Sequence, residues 1–335
     1  MSSEPCVPAE RPFFAMLEIT PQCNSRCVYC SCWYPSTKSP ALSAAQCRKL
    51  LPDLHAIGVR RLVLTGGEPL LHPEIEQLVQ LGYRNRLHTS LVTNGIALSE
   101  RRYRALVAHG LLGLTLSLDT LDPETYQRLR GVPIHFALKA VGLLSSAAAE
   151  DGVSVSINCV ATALNMPHIP DLVRFASERR IPVMIQPCNT DNNPRLAHLV
   201  PQEAEIPQVE QIIHSVIKMK QQGFSILSSE SFLMNMVEYW LRGCTPPVKA
   251  CYYGHVTVTV RHTGAVNPCW RLPEVGSIQT QPIQAIRSSD GYAQWLNKMV
   301  AGQCPGCWLA CSYDWKTLWA TEEQVERFWK TRLPA

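Results

Sequence analysis

Charged residues are scarce in this chain. Asp, Glu, Lys and Arg make up 17% of 335 residues, and the formal net charge at neutral pH is +4. No dense basic run occurs, so the electrostatic footprint of a nucleic-acid binder is missing and no such partner is expected. Scarce charge does not mean disorder, because hydrophobic residues reach 46% and a chain of this length can bury one large core and a smaller one. The segment before residue 13 contains Glu4, Pro5, Pro8 and Glu10 and lacks the apolar core of a secretory leader. No apolar stretch reaches the length that spans a bilayer, so no membrane partner is expected. Internal repeats and low-complexity segments are also missing.

Cysteine, in contrast, is abundant, with 14 residues. Disulfide scaffolds are normally small and exported, so clustered thiols in a large domain without an export signal read as metal ligands in a reducing cytoplasm. Three lie in Cys23-Asn-Ser-Arg-Cys27-Val-Tyr-Cys30, directly after the apolar run at 13–19. Three thiolates from one loop leave a four-iron, four-sulfur cluster with one open iron, which can bind and activate a small molecule. A structural zinc knuckle is the alternative. A second motif, Thr65-Gly66-Gly67-Glu68-Pro69, follows a short apolar run. Its glycines let the backbone approach a ligand where a Cβ would collide.

Strand-like runs at 13–19, 60–65, 88–93, 112–118, 153–160 and 181–186 alternate with helix-like stretches at 44–57, 73–81, 100–108, 136–149 and 169–180. This alternation predicts a parallel sheet with functional loops at the C-terminal ends of its strands. Residues 189–201 read as a linker or lid, and 208–220 and 229–240 as helices. Residues 255–261 then alternate with period two, His262-Thr263-Gly264 supplies a turn and 265–270 returns, a hairpin pattern. Cys251 and Cys269 bracket the hairpin, and Cys304, Cys307 and Cys311 follow. The hairpin can fix two thiolates and the Cys-x2-Cys turn can close on them, making a cage of four thiolates for an iron–sulfur cluster or for zinc.

The C-x3-C-x2-C spacing after a first strand, Tyr29 before the last cysteine, and the Gly-Gly-Glu-Pro turn one helix and one strand later resemble the radical S-adenosylmethionine (SAM) superfamily. The resemblance implies an α/β fold, an open, partial (β/α)6 barrel, with Cys23, Cys27 and Cys30 holding the cluster that binds SAM. It places the SAM site at the strand C-terminal ends. Gly66, Gly67, Glu68 and Pro69 would surround the methionine amino group, and Asn94 and Ser117 its carboxylate and ribose. Asn158 and Gln186 are candidates for ribose or adenine contacts, or else satisfy backbone groups. Asp119 reads equally well as the start of the next helix. Of Arg128 and Arg130, one could bind a carboxylate and the other end a solvated helix. The C-terminal cysteines resemble the SPASM extension in its shortened twitch form, a β-hairpin plus helix domain. Cys244, Cys251, Cys269, Cys304, Cys307 and Cys311 are too few for two fully ligated clusters. One auxiliary cluster is therefore expected, on Cys251, Cys269, Cys304 and Cys307, with Cys311 able to replace one ligand and Cys244 unassigned. The implied cofactors are SAM and two [4Fe–4S] clusters.

The expected organisation is an N-terminal segment at 1–12, a barrel at 13–190, a helical linker at 191–243, a twitch-like domain at 244–312 and a C-terminal helix at 313–335. Cys159 and Cys188 read as buried core thiols, and Trp308, Trp315 and Trp319 as packing; Cys6, Cys32 and Cys47 carry no pattern. Family chemistry implies that an electron donor such as flavodoxin or ferredoxin reduces the cluster and that SAM is cleaved to a radical that abstracts a substrate hydrogen. Only a dozen residues precede the first strand, too few for an added peptide-recognition domain, so a small molecule is expected. The resemblance points to an aminoglycoside, aminocyclitol or nucleoside sugar in natural-product biosynthesis. Oxidation of an alcohol to a ketone is the expected reaction, with the auxiliary cluster taking the second electron. The alternatives are epimerisation with Cys244 or Cys311 as hydrogen donor, redox-neutral decarboxylation or elimination, peptide maturation, and a non-catalytic scaffold.

Overall fold

The computed structural model describes residues 12–30, 40–190 and 193–314. The first element is β1 (Phe14–Thr20), then α1 (Ala44–Ala56), β2 (Arg61–Gly66), α2 (Ile75–Arg84), β3 (His88–Thr93), α3 (Glu100–Ala108) and β4 (Gly113–Ser117). After β4 come α4 (Pro123–Arg130), α5 (His135–Asp151), β5 (Ser154–Ala161), α6 (Ile169–Glu178) and β6 (Val183–Pro187). β1 to β6 pair in parallel, each with the next. Leu17, Ile19, Leu62, Leu64, Leu91, Leu114 and Leu116 are buried in the sheet, as the near-continuous apolar strands of a parallel sheet covered by helices require. Ser43, Ser99 and Asp122 cap α1, α3 and α4 through their side-chain oxygens, which fixes where each crossover helix starts.

The remaining elements are α7 (Ile206–Gln221), α8 (Glu230–Leu241), α9 (Tyr253–Val256), β7 (Thr257–Val260), β8 (Ala265–Asn267), β9 (Gly276–Ser277), α10 (Ile283–Arg287), α11 (Asp290–Val300) and α12 (Ala310–Tyr313). The sheet order is β6-β5-β4-β3-β2-β1-β7-β8-β9. β6 and β1 therefore do not meet, and the barrel stays open. β7 lies parallel to β1, pairing Phe14–Leu17 with Thr257–Val260, and β8 and β9 return antiparallel. The hairpin thus extends the barrel's own sheet and brings the C-terminal cysteines to its side.

Three expectations change. Residues 255 and 256 belong to the one-turn helix α9, so the strand begins only where it meets β1. Pro268 ends the return strand, because it has no N–H for the ladder. The segment expected as a linker buries Ile213, Val216, Phe232, Leu233 and Met236 in the main core, with α7 against α6 and α8 against β6. The expected C-terminal helix, from residue 315 on, and Cys6, Cys32, Trp315 and Trp319 lie outside the described residues. Trp308 is packing, stacked between Phe232 and Tyr313. Cys47, Cys159 and Cys188 are all buried.

Candidate functional site

The three N-terminal cysteines occupy the loop leaving β1, and two separate segments hold that loop. The first is the Gly-Gly-Glu-Pro turn after β2. Gly67 N–H donates to the Thr20 carbonyl at 2.7 Å and Glu68 N–H to the Gln22 carbonyl at 2.6 Å. A Cβ on Gly67 would stand 2.1 Å from the Gln22 carbonyl oxygen, and one on Gly66, where φ is +136°, 2.5 Å from that of Thr20. Both glycines are therefore demanded by the chain leading into the cysteine loop, and Gly66 also lines the cleft described below.

Glu68, expected near the methionine ammonium, has three partners within the protein. It is buried and accepts from the Thr93 hydroxyl at 2.6 Å, Asn94 N–H at 2.8 Å and Leu70 N–H at 3.1 Å. Its carboxylate ties the turn to the end of β3, with burial pushing its pKa up against those three donors. Pro69 opens a short 3-10 turn, Pro69–Leu71, behind it. Asn94 donates to Asn24 Oδ1 at 2.8 Å and lies 4.0 Å from Cys23 Sγ. Burial pushes the Cys23 thiol up to about 11, and the Glu68, Cys27 and Cys30 charges push the same way. Three thiols in one loop form a donor set suited to a cationic iron cluster.

The second brace is the C-terminal end of α4. Its Leu129 and Arg130 carbonyls accept from Val28 N–H at 2.9 Å and Arg26 N–H at 3.1 Å, and Ser25 Oγ donates to Arg130 O at 2.7 Å. The Arg130 guanidinium, buried, forms a bidentate pair with Asp119 at 2.6 and 2.8 Å and reaches to 3.7 Å from Cys27 Sγ. Tyr29 donates its hydroxyl to the same carboxylate, and Val160 N–H binds its other oxygen at 2.9 Å. Asp122 caps α4, so Asp119 is free of the capping role considered for it. This Asp119–Arg130–Tyr29 network has no local sequence signature, because its members come from three separate segments.

At the other thiol group, Cys251, Cys269, Cys304 and Cys307 line one small cavity, together with Arg271, Met299 and Tyr313. Burial raises the Cys251, Cys269 and Cys307 thiols, and charge on the others adds to it. Cys311 packs against the same cluster of side chains without lining the space, and burial pushes its thiol up to about 12. Among the described residues, no three Cys, His, Asp or Glu side chains stand close enough to share one metal ion. Four thiolates are a donor set that serves an iron–sulfur cluster or a tetrahedral zinc.

A cleft of ≈ 400 Å³ separates the two regions. Tyr29, Cys30, Thr65 and Gly66 line it from the barrel, Gln186 and Asn189 from the end of β6, and Trp270, Arg271 and Leu309 from the C-terminal part. Gln186 reaches it while donating to Asn158 Oδ1 at 3.0 Å. Asn158 and Ser117 do not line it, and Ser117 is buried at the end of β4. Cys244 lies elsewhere, in a left-handed conformation (φ 63°) after α8, where its thiol meets the Tyr239 hydroxyl. Neither Cys244 nor Cys311 lines the cleft. Glu18 and Arg261, unsuspected from the sequence, pair at 3.2 Å in its wall, with the guanidinium 4.8 Å from the Trp270 ring.

An open parallel barrel, with one thiol triad at the end of its first strand and a second thiol group in an attached hairpin unit, is built like an iron–sulfur protein with two cluster sites. Residues 17–191 match the model of the radical SAM superfamily, and residues 251–311 match that of the SPASM iron–sulfur cluster-binding domain. The chain belongs to the radical SAM superfamily, whose SAM and four-iron cluster, joined by auxiliary iron–sulfur in the SPASM domain, are its cofactors. It is 34% identical over 173 residues to GTP 3',8-cyclase of Chlorobaculum tepidum, covering 51% of this chain and 52% of that protein. The chain thus spans about half the length of the first curated relatives it matches. Streptococcus suis SuiB bound to precursor peptide SuiA superposes with a TM-score of 0.71 at 16% identity, over 89% of this chain and 72% of the other. BtrN in complex with AdoMet and 2-DOIA superposes with a TM-score of 0.52 at 16% identity, over 88% and 89%. Among the described residues, no single helix is long and apolar enough to cross a membrane.

Proposed function

We propose that this chain abstracts a hydrogen atom from a small, hydroxyl-rich molecule such as an aminoglycoside, aminocyclitol or nucleoside sugar and oxidises an alcohol to a ketone. The observation that carries this reading is the cleft of ≈ 400 Å³, a volume in the range of small-molecule sites. Its polar wall of Glu18, Gln186, Asn189, Arg261 and Arg271 and the flat Trp270 ring suit a polyol. Cys23, Cys27 and Cys30 would hold the SAM-binding cluster; Cys251, Cys269, Cys304 and Cys307 would hold the auxiliary one. When bound, SAM and its cluster supply the hydrogen-abstracting radical, after reduction by a donor such as flavodoxin or ferredoxin. The protein's part is to hold the target C–H near that radical and to keep water out.

Alcohol oxidation is favoured over epimerisation because a hydrogen-donating thiol has to reach the substrate carbon. Cys30 is the one thiol among the described cleft residues, and it is reserved for the cluster. A second reading, peptide modification, draws on the similarity to SuiB, whose structure holds a precursor peptide. Anaerobic incubation with SAM, reductant and candidate aminoglycosides, sugars or peptides, followed by mass analysis, tests these readings. Loss of two hydrogens from a sugar is the expected result. An isomer of unchanged mass means epimerisation, loss of carbon dioxide means decarboxylation, and turnover of peptides alone overturns the small-molecule reading.

A further inference from the structure

Arg271 borders two cavities. Its side chain lines the large cleft and also the space ringed by Cys251, Cys269, Cys304 and Cys307. Among the described residues, no other residue lines both. Two anchors fix it there. Nη1 donates to Asn189 Oδ1 at 3.1 Å, just beyond β6, and to the carbonyl of Gly306, the residue before Cys307. Asn189 Oδ1 also accepts from the Tyr239 hydroxyl at 3.3 Å, which holds the acceptor in place. The guanidinium thus spans from the barrel to the turn that carries two of the four thiols. The neighbouring Arg261 differs. It lines the cleft alone and is engaged by Glu18 at 3.2 Å and by the Trp270 ring.

We propose that Arg271 is a positioning residue whose fixed positive charge, built into the wall between cleft and auxiliary site, raises the reduction potential of the auxiliary cluster. The physical reason is simple. Reduction adds a negative charge to a cluster already ringed by thiolates, and a guanidinium, charged at every accessible pH, stabilises the reduced form at short range in a poorly solvated site. The same side chain also lines the cleft. The proposal needs only a cluster in the ring of thiols. It does not depend on the substrate being a sugar or on the reaction being an oxidation.

The test is an EPR-monitored redox titration of the full-length protein with both clusters in place and no substrate. The two clusters are told apart by the spectral change that SAM produces in the one it binds. Arg271→Gln should keep its iron and shift the auxiliary potential to a lower value, leaving the SAM-binding cluster unmoved. Arg271→Lys, which keeps the charge, should recover most of that shift. Arg261→Gln, which removes an equal charge from the cleft wall alone, should leave the auxiliary potential where it was. An unchanged potential in Arg271→Gln, or an equal fall in Arg261→Gln, overturns the proposal. So does loss of auxiliary iron from both Arg271 variants, which would make the residue a brace for the Gly306 turn. If only the glutamine variant loses iron, the lysine variant decides. A parental potential upholds the role of charge, and a lowered one rejects it.

Discussion

The two thiol groups are built in opposite ways. The N-terminal triad comes from eight consecutive residues, and the protein spends its structure on bracing that single loop: glycine backbone against Thr20 and Gln22, the α4 carbonyls against Arg26 and Val28, and a buried Arg130–Asp119 pair beside Cys27. The auxiliary ring gathers its thiols from positions between 251 and 307, on either side of the hairpin and α11. Only Cys304 and Cys307 are joined locally, by one Cys-x2-Cys turn. The four meet because β7 pairs with β1 and because Trp308 is anchored between Phe232 and Tyr313. A contiguous ligand set needs support from outside, whereas a dispersed one needs the fold to assemble it, and each should fail in its own way.

The sharpest way to break the comparison is the triple variant Cys23→Ala, Cys27→Ala, Cys30→Ala. Iron should fall from about eight to about four per chain, two four-iron clusters becoming one, and 5′-deoxyadenosine formation should cease. Production of 5′-deoxyadenosine by that variant would show that the triad does not serve SAM. Next in size is Arg130→Gln, which leaves the Asp119 carboxylate buried without its partner and should destabilise the barrel by about 3–5 kcal/mol. Denaturant unfolding measures this, and a loss under about 1 kcal/mol would place the pair among ordinary surface salt bridges.

Gly67→Ala drives a Cβ into the Gln22 carbonyl and should cost about 1–3 kcal/mol. Because the clash is with the cysteine loop, the variant should lose N-terminal iron as well as SAM affinity. Full iron with weakened SAM binding would restore the ligand as the reason for glycine there. Chelating both clusters should loosen the C-terminal region first, since its thiols are gathered from distant positions rather than from one braced loop. Hydrogen exchange should rise across β8, α11 and α12 while β1 to β6 stay protected, and uniform loosening would contradict the contrast. The smallest effect belongs to Cys244→Ala. Its thiol faces Tyr239 and not the cleft, so stability should change by less than about 1 kcal/mol and turnover should persist. Arrest after hydrogen abstraction would identify Cys244 as a hydrogen donor.

Much of this molecule is local, and that part was legible. Alternating apolar runs placed six parallel strands to within a residue or two, because strands buried on both faces must be apolar throughout. The helix-like stretches read from 44 and 100 begin where α1 and α3 begin, and the Ser43 and Ser99 side chains cap them there by satisfying free N–H groups locally. The cysteine spacings announced iron–sulfur chemistry for the same reason, since thiolate chemistry depends on ligand type and reach.

What the tertiary structure alone decided is which partner each polar group meets. Glu68 stood in a motif that suggested ligand contact, yet its oxygens are taken by Thr93, Asn94 and Leu70. Asp119 looked like a helix start and became the buried partner of Arg130, Tyr29 and Val160, brought together by the β4–β5 pairing and the return of α4 under the cysteine loop. Arg271 carried no signal at all, because a residue between two cavities is defined only once both exist. Periodicity and spacing are read along the chain, but the burial of a charge and the identity of its neighbour depend on contacts between residues far apart in sequence.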